Sequence, residues 1–345
     1  MFAREESTMK TLHLLLCIAV AGVFFACDRN TTYTQEVAGP VPCTQCHDDS
    51  NLITGKQTQW AESLHGTGEA YLRATSAGCA ACHSGNGFAK AVAAGQNPGQ
   101  VTQGDPDPTR QDCRACHMIH ETYTDQDFAL RTTQPVALYA VAGATFDGGE
   151  GNLCVNCHQG RRDAPVAVNG VVTGISEHWG PHHGPQSAMM LGLSGAGVTG
   201  SVHGHYGGVP NTCVHCHMGD GLDHHFEPSA STCNPCHDNG NSLDVDGVQT
   251  EITALSDQLG DELLRLGLIN ENSPDGHPTV TSAPELQAYA LWNWIYVAHE
   301  DKSKGVHNYD YAKAMLEWGI AAIDTIPTPA ALVQNQSRTA TGGSK

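Results

Sequence analysis

The chain has 345 residues, with 36 Asp and Glu against 17 Lys and Arg and a formal net charge of −19. That acidic excess excludes the basic face that phosphate binding needs, and with it nucleic acid as a partner; basic redox proteins or cationic oxidants suit it better. Aromatic residues make up only 6% while there are 14 cysteines and 20 histidines, so side chains alone are too few and too small to fill an ordinary core over most of this length.

In chain order, Met9-Lys10 opens a short basic region, and "LLLCIAVAGVFFA" (14–26) follows as an apolar stretch. A bilayer span needs about 20 such residues, so this run reads as the hydrophobic part of a signal peptide, residues 1–26, with its start at Met9. It ends at "FFAC", where small Ala26 precedes Cys27, the pattern of a lipoprotein processing box. We therefore expect export, lipidation of Cys27 and attachment to a membrane through that anchor. Residues 27–42, polar and with two prolines, read as a tether.

Residues 43–247 carry six copies of one pattern, Cys-x-x-Cys-His: Cys43, Cys46 and His47; Cys79, Cys82 and His83; Cys113, Cys116 and His117; Cys154, Cys157 and His158; Cys213, Cys216 and His217; Cys233, Cys236 and His237. This is the attachment signal of c-type haem. The two-residue gap lets both sulfurs reach the two vinyl groups along one porphyrin edge as thioethers, and the adjacent His binds the iron from below. Zinc ribbons need paired cysteines but no obligatory His, and disulfides need none, so neither accounts for six adjacent histidines. The cofactor set is six haem c, with the six motif histidines as proximal ligands. The intervals of 36, 34, 41, 59 and 20 residues are irregular, so this is not a solenoid. Between motifs the chain is rich in Gly, Pro and Asn. One hairpin signal stands out, "VAVNGVVT" (166–173), where Asn169-Gly170 suits a turn with positive φ.

Function turns on the second axial position of each iron: a second protein ligand makes an electron carrier, an open position a reactive centre. Histidines outside the motifs are ample. His65 lies on a short polar turn, and His120 emerges three residues after His117, where it can reach a neighbouring haem but not its own. "HWGPHH" (178–183) offers His178, His182 and His183, with the last two preferred because Gly180-Pro181 breaks any helix. His203 and His205 precede the fifth motif, with His203 preferred, and His224 and His225 lie between the fifth and sixth, with His224 preferred. His215 and His277 are expected on the surface, and Met189 and Met190 in an apolar stretch are expected in packing. Arg161 and Arg162 are placed to pair with propionates or to sit in solvent. No catalytic constellation beyond haem is present, so no catalytic residue is assigned.

From 248 to 325 the pattern changes to apolar residues at helical spacing. It predicts helices over 248–269, over 282–299 with Ser282 as N-cap, and over 309–323, followed by a disordered tail at 326–345. The fold class expected is mainly α with much irregular structure: a haem-organised core with short helices, one small β-hairpin and a C-terminal helical region packing on the haem domain.

The run "QTQWAESLHGTG…CAACHSGNGF…CRACHMIHETYTDQDFALRT…GNLCVNCHQGRR…HWGPHHGPQS…CVHCHM" resembles multihaem, here hexahaem, c-type cytochromes of metal-reducing and related bacteria. The resemblance implies electron transfer in the cell envelope, in the periplasm, at the outer membrane or at the cell surface. It implies other cytochromes or extracellular oxidants as partners, and a homo-oligomer or filament as a further form. The segment "EDKSKGVHNYDYAKAMLEWGI" (300–320) is similar to the C-terminal helix of ammonia-forming cytochrome c nitrite reductases. The matching His in that family is a distal ligand, which adds His307 to the candidates. That family's active haem uses Cys-x-x-Cys-Lys, which does not occur here, so an electron carrier is expected. A multihaem reductase of a small nitrogen or sulfur oxyanion with one open iron is the alternative.

Overall fold

The computed structural model describes residues 51–238, 241–271 and 276–329. The expected signal peptide and tether, Cys27, the whole first motif (Cys43, Cys46, His47) and the tail beyond 329 lie outside the described residues.

Helix formation follows apolar spacing most closely in the C-terminal third. Helix α1 spans Asn51–Glu62 and α2 Gly85–Ala93, the latter capped by Ser84, whose hydroxyl accepts from the Gly87 N–H. Strands β1 (Val136–Ala137) and β2 (Thr145–Phe146) pair antiparallel, and β3 is Val171–Thr173. Helix α3 covers Gln186–Met190, α4 Val248–Arg265, β4 Ser282–Pro284, α5 Glu285–Trp294 and α6 Tyr309–Ile323. The rest is short turns and irregular chain, so the architecture is mainly helical with two small antiparallel sheets. Among the described residues no helix is long and apolar enough to cross a membrane.

One apolar core draws on residues 136–196 and on α4, α5 and α6 together, without a division where the helical region begins. In α4 the buried residues are Ile252, Leu259 and Leu263, spaced to share one face. In α5 every residue from Ala290 to Trp294 is buried, as befits a central helix. Helix α6 buries Tyr311, Ala312, Met315, Leu316, Gly319 and Ile323. Gly319 matters for the approach: a Cβ there would stand 2.8 Å from Leu259 Cδ2, so its absence lets α6 lie close on α4. Helix α5 does not stop at Trp294 but widens into a π-helix, Ile295–Asp301. Such widening re-aims the side chains that follow it.

Two local expectations change. The 166–173 hairpin is reduced to the single bridge Val168↔Val171 around Asn169 (φ 52°) and Gly170 (φ 76°). Its second arm, β3, pairs instead with β4, in the register Val172↔Ala283, where Val172 and Ala283 are buried and Val166 and Val168 are left exposed. Ser282 is therefore a strand residue rather than a cap, and α5 starts after Pro284, where the Glu285 N–H donates to Gly170 O at 2.9 Å.

The segment 193–201 is irregular yet packed under α5 and α6, so its backbone polar groups need side-chain partners. Trp292 Nε1 donates to Ser194 O (2.8 Å), and Asn293 both accepts from the Ala196 N–H (2.8 Å) and donates to Ala196 O (3.0 Å). The Tyr311 hydroxyl accepts from the Gly195 N–H, and Asn308 Nδ2 donates to Met189 O and Ser201 O. Replacing Asn293 by Ala strands both polar groups of Ala196 in the core. We expect a loss of about 2 kcal/mol of stability, read as a lowered midpoint in thermal or denaturant unfolding.

Candidate haem sites

Each described motif forms one helical turn, and the turn itself puts the three functional side chains on one side. The short helices are Ala80–His83, Cys113–Cys116, Asn152–Val155 and Cys213–Met218. The motif His closes the turn by donating its N–H to the carbonyl of the first Cys: His83 to Cys79 (3.0 Å), His117 to Cys113 (2.8 Å), His158 to Cys154 (2.9 Å) and His237 to Cys233 (3.0 Å). Asp112 caps the third turn, accepting from the N–H groups of Arg114 and Ala115. None of the ten motif cysteines among the described residues is in a disulfide.

Every described motif His faces one imidazole from elsewhere in the chain, at nearly the same ring-centre separation. His83 faces His182 (6.2 Å), His117 faces His224 (6.2 Å) and His158 faces His65 (6.2 Å). His217 faces His307 (6.3 Å) and His237 faces His205 (6.1 Å). Two imidazoles bound on opposite sides of one metal, with metal–nitrogen bonds of about 2.0 Å, place their ring centres about 6.2 Å apart. That spacing is too wide for stacked rings in contact and too narrow for a porphyrin lying beside either ring; it fits an iron between them.

The opposite edge of most of these rings is held by an acceptor. His83 Nδ1 lies 3.0 Å from Ala70 O, His117 Nδ1 2.8 Å from Phe128 O, and His217 Nδ1 3.0 Å from Phe226 O. His205 Nδ1 lies 3.0 Å from Val306 O and His224 Nδ1 2.8 Å from Leu222 O. His158 Nδ1 lies 3.3 Å from Gln186 Oε1, and His307 Nδ1 2.7 Å from Asp301 Oδ1. An acceptor at Nδ1 fixes the proton there and leaves the Nε2 lone pair for a metal. Burial acts in the same direction, because it disfavours the imidazolium: burial and then neighbouring His158 push His65 down to about 4, and burial and then His183 push His182 down to about 4. Among the described residues, His182 Nε2 is buried with no hydrogen-bond partner. The residues present therefore fit a haem c at each described motif.

The histidines flagged in the sequence thus divide. His65, His182, His224 and His307 are brought opposite a motif His. At the fifth-motif approach it is His205, not the preferred His203, that faces a motif ring. His203 sits beside it at 4.7 Å and its Nδ1 accepts from the His205 N–H. Sequence order could not separate these two, and the deciding contact, His205 to Val306 O, comes from a loop about a hundred residues on. His183 lies next to His182 (5.1 Å), with Nδ1 3.0 Å from Glu300 Oε2. His120 stacks on Tyr123, and its N–H donates to Asp127 Oδ2 (2.8 Å). His225 sits between Asp223 and Glu62. His277, expected on the surface, is half-buried against His178, at 6.2 Å; among the described residues no three His, Cys, Asp or Glu converge as a metal site. Met189 and Met190 are in the core. Arg162 Nη1 donates to His178 O, so it holds the "HWGPHH" loop.

Motifs also touch one another. Cys82 Sγ lies 3.7 Å from Asn156 O while Cys157 Sγ lies 3.8 Å from Ala81 O, so the second and fourth motif turns face each other reciprocally. The entry to the fifth motif rests on the entry to the fourth: Thr212 Oγ1 donates to Gly148 O (3.1 Å), and Cys213 Sγ is 3.9 Å from Gly151 O. The fourth motif is therefore the junction, in contact with both the second and the fifth.

Against known proteins, no family model matches, and no curated protein matches. Among solved structures, the chain is similar to the outer cell wall cytochrome OcwA, with 22% identity, 78% of this chain and 50% of that chain covered, and a TM-score of 0.49. It is also similar to an undecahaem cytochrome from the S-layer of Carboxydothermus ferrireducens, with 18% identity, 73% and 38% coverage, and a TM-score of 0.44. The chain thus spans half or less of the length of either.

The contact between the fourth and fifth motifs has no room to spare at Gly151, where a Cβ would stand 2.2 Å from Thr212 Oγ1 and 3.2 Å from the Cys213 nitrogen. Gly151→Val must push the two turns apart. We expect about 2 kcal/mol of destabilisation from overpacking, seen as a lower unfolding midpoint; Gly143→Ala, in open space but at positive φ, serves as a control for turn strain alone.

Proposed function

We propose that this chain is a hexahaem c-type electron-transfer protein of the cell envelope in which each iron has two histidine ligands. The observation that carries the reading is that all five described motif histidines face a remote imidazole at 6.1–6.3 Å. Haem c, when bound, supplies one-electron exchange between ferric and ferrous iron. The chain's own residues supply the attachment, the axial ligands and the order of contact. The axial pairs are His83 with His182, His117 with His224, His158 with His65, His217 with His307 and His237 with His205. His120, His183 and His203 are the preferred candidates that face no described motif histidine; of these, His120 sits on a turn that Asp127 fixes, since that carboxylate accepts from the N–H groups of His120, Thr122 and Tyr123 and from the Thr122 hydroxyl.

Two ligands per iron leave no position for substrate, which favours a carrier over a reductase of a nitrogen or sulfur oxyanion. The contacts between motif turns support an electron path that runs from the second motif through the fourth to the fifth. Their partners are other cytochromes or extracellular oxidants, and the net charge of −19 favours basic or cationic ones. Signal-peptide patterning and Cys27 support export and a lipid anchor, which holds the chain at the envelope and disfavours a free filament.

Low-temperature electron paramagnetic resonance of the oxidised protein tests the ligation. We expect low-spin ferric haem throughout; a high-spin population of about one haem in six would sink the carrier reading. The angle between paired imidazole planes sets the anisotropy of such spectra. The pairs His117/His224 (25°) and His217/His307 (35°) should give rhombic signals, and those at 65°, 72° and 83° the strongly anisotropic kind. A single variant then separates neighbours: His205→Ala should convert one haem to high spin, and His203→Ala should leave every haem low-spin.

A further inference from the structure

Resting on the reading of His217 and His307 as an axial pair, we propose that Asp301 makes the fifth haem a low-potential site, by converting His307 into a stronger donor than the other axial histidines. The contrast among the ring edges carries this. Five of the seven acceptors that hold an axial Nδ1 are backbone carbonyls, and a sixth is the Gln186 amide. Only His307 is held by a carboxylate, at 2.7 Å.

That carboxylate has little else to satisfy it. Its side chain is fully buried, at 0% exposure. The Ser303 hydroxyl and N–H donate to Oδ2, leaving Oδ1 to the imidazole. Among the described residues no Lys or Arg pairs with it, and the flanking Lys302 and Lys304 are exposed. The geometry is fixed on both sides. Asp301 closes the π-helix that extends α5, and the turn to His307 runs through left-handed residues Lys302 (φ 61°), Lys304 (φ 52°) and Gly305 (φ 91°). The His307 N–H donates back to the Ser303 hydroxyl. Ring and carboxylate are thus held together by the chain's own hydrogen bonds.

A buried anion on the far nitrogen pulls the shared proton toward itself and raises the basicity of the nitrogen that faces the iron. A more basic ligand, together with a fixed negative charge in a poorly screened site, favours the ferric over the ferrous iron. Reduction adds one electron from electrode or mediator and breaks no bond; the proton stays between Nδ1 and Oδ1. The fifth haem, against the fourth-motif junction, would then be the site that gives its electron up most readily.

Asp301→Asn keeps the shape and an acceptor oxygen while removing the charge. Potentiometric titration of the haem-loaded protein, followed by paramagnetic resonance, reads each class separately. We expect the ferric-to-ferrous ratio of one rhombic haem to fall about tenfold at a fixed potential, an upward shift of about 59 mV for one electron, with the strongly anisotropic haems unmoved and Asp301→Glu restoring most of the low potential. Unchanged potentials in Asp301→Asn would overturn the proposal. So would loss of that rhombic low-spin signal, because Asp301 would then hold the ligand in place rather than tune it. His307→Ala tests the underlying pair separately: if it leaves every haem low-spin, the ligand assignment fails, whatever Asp301 does.

Discussion

The constraint on which the rest depends is that an iron held by two imidazoles fixes their separation, and each ring must be turned so that Nε2 points inward. On the proposed ligation, five described histidine pairs largely dictate the path of the chain. His65 must return to the fourth motif, His182 to the second, His224 to the third and His307 to the fifth, all across long stretches of sequence. The irregular chain between motifs follows from this. Regular helices cannot deliver ligands from so many directions, whereas turns with backbone carbonyls free to hold Nδ1 can. Leu222, Phe226 and Val306 offer their carbonyls from turns or loops, and Ala70 and Phe128 from the ends of short 3₁₀ helices.

The same constraint explains where the apolar side chains are. Outside the main cluster, the buried apolar residues of the motif-rich segments are few and mostly small: Ala74, Ala80, Ala81, Ala91, Ala115, with Phe88 and Val214. Alanines at the motif turns are buried where chain packs closely on chain, as where the second turn meets the fourth. The bulky residues gather in α4, α5 and α6 and the segments sewn to them.

How much of this could be read from sequence differs by the range of the interaction. The helices expected over 248–269 and 309–323 are set by local spacing and were legible, the first ending four residues early at Arg265. Distal partners are set by tertiary path and were legible only as a set: His203 and His205 differ in sequence by two positions, yet only the second meets Val306 O and His237. The hairpin failed for a related reason. Asn169-Gly170 did form its turn, but the pairing energy of a strand lies in burial of one face, and Val172 finds that against Ala283 rather than against the exposed Val168. The π-helix left no sequence signal that we could identify, although it decides where Glu300 and Asp301 point.

The C-terminal core has a purpose in this arrangement, and the "HWGPHH" loop shows it most clearly. Gly180 (φ 138°), His182 (φ 77°), His183 (φ 23°) and Gly184 (φ 129°) take left-handed conformations almost in succession. For the two histidines this costs about 1–3 kcal/mol each, and such strain persists only where the surroundings over-determine it. They do so here: Trp179 is buried edge-on to Trp292 at 5.2 Å, the Arg161 N–H donates to Pro181 O, and Glu300 stands against His183. Gly180 is required as well, because a Cβ would stand 2.8 Å from Ile295 Cγ2. His205 and His307 are held from the same direction, by Val306 O and Asp301. Three of the five described distal histidines are therefore mounted on α5, its π-helical extension and the loop into α6. The remaining two are placed through α1: Gln59 Oε1 accepts from the His224 N–H, Lys56 binds the carbonyls of Gly221 and Leu222, and His65 follows directly after the helix. The long helices of this protein thus stand where these histidines are held, which is how a few of them reach every described pair.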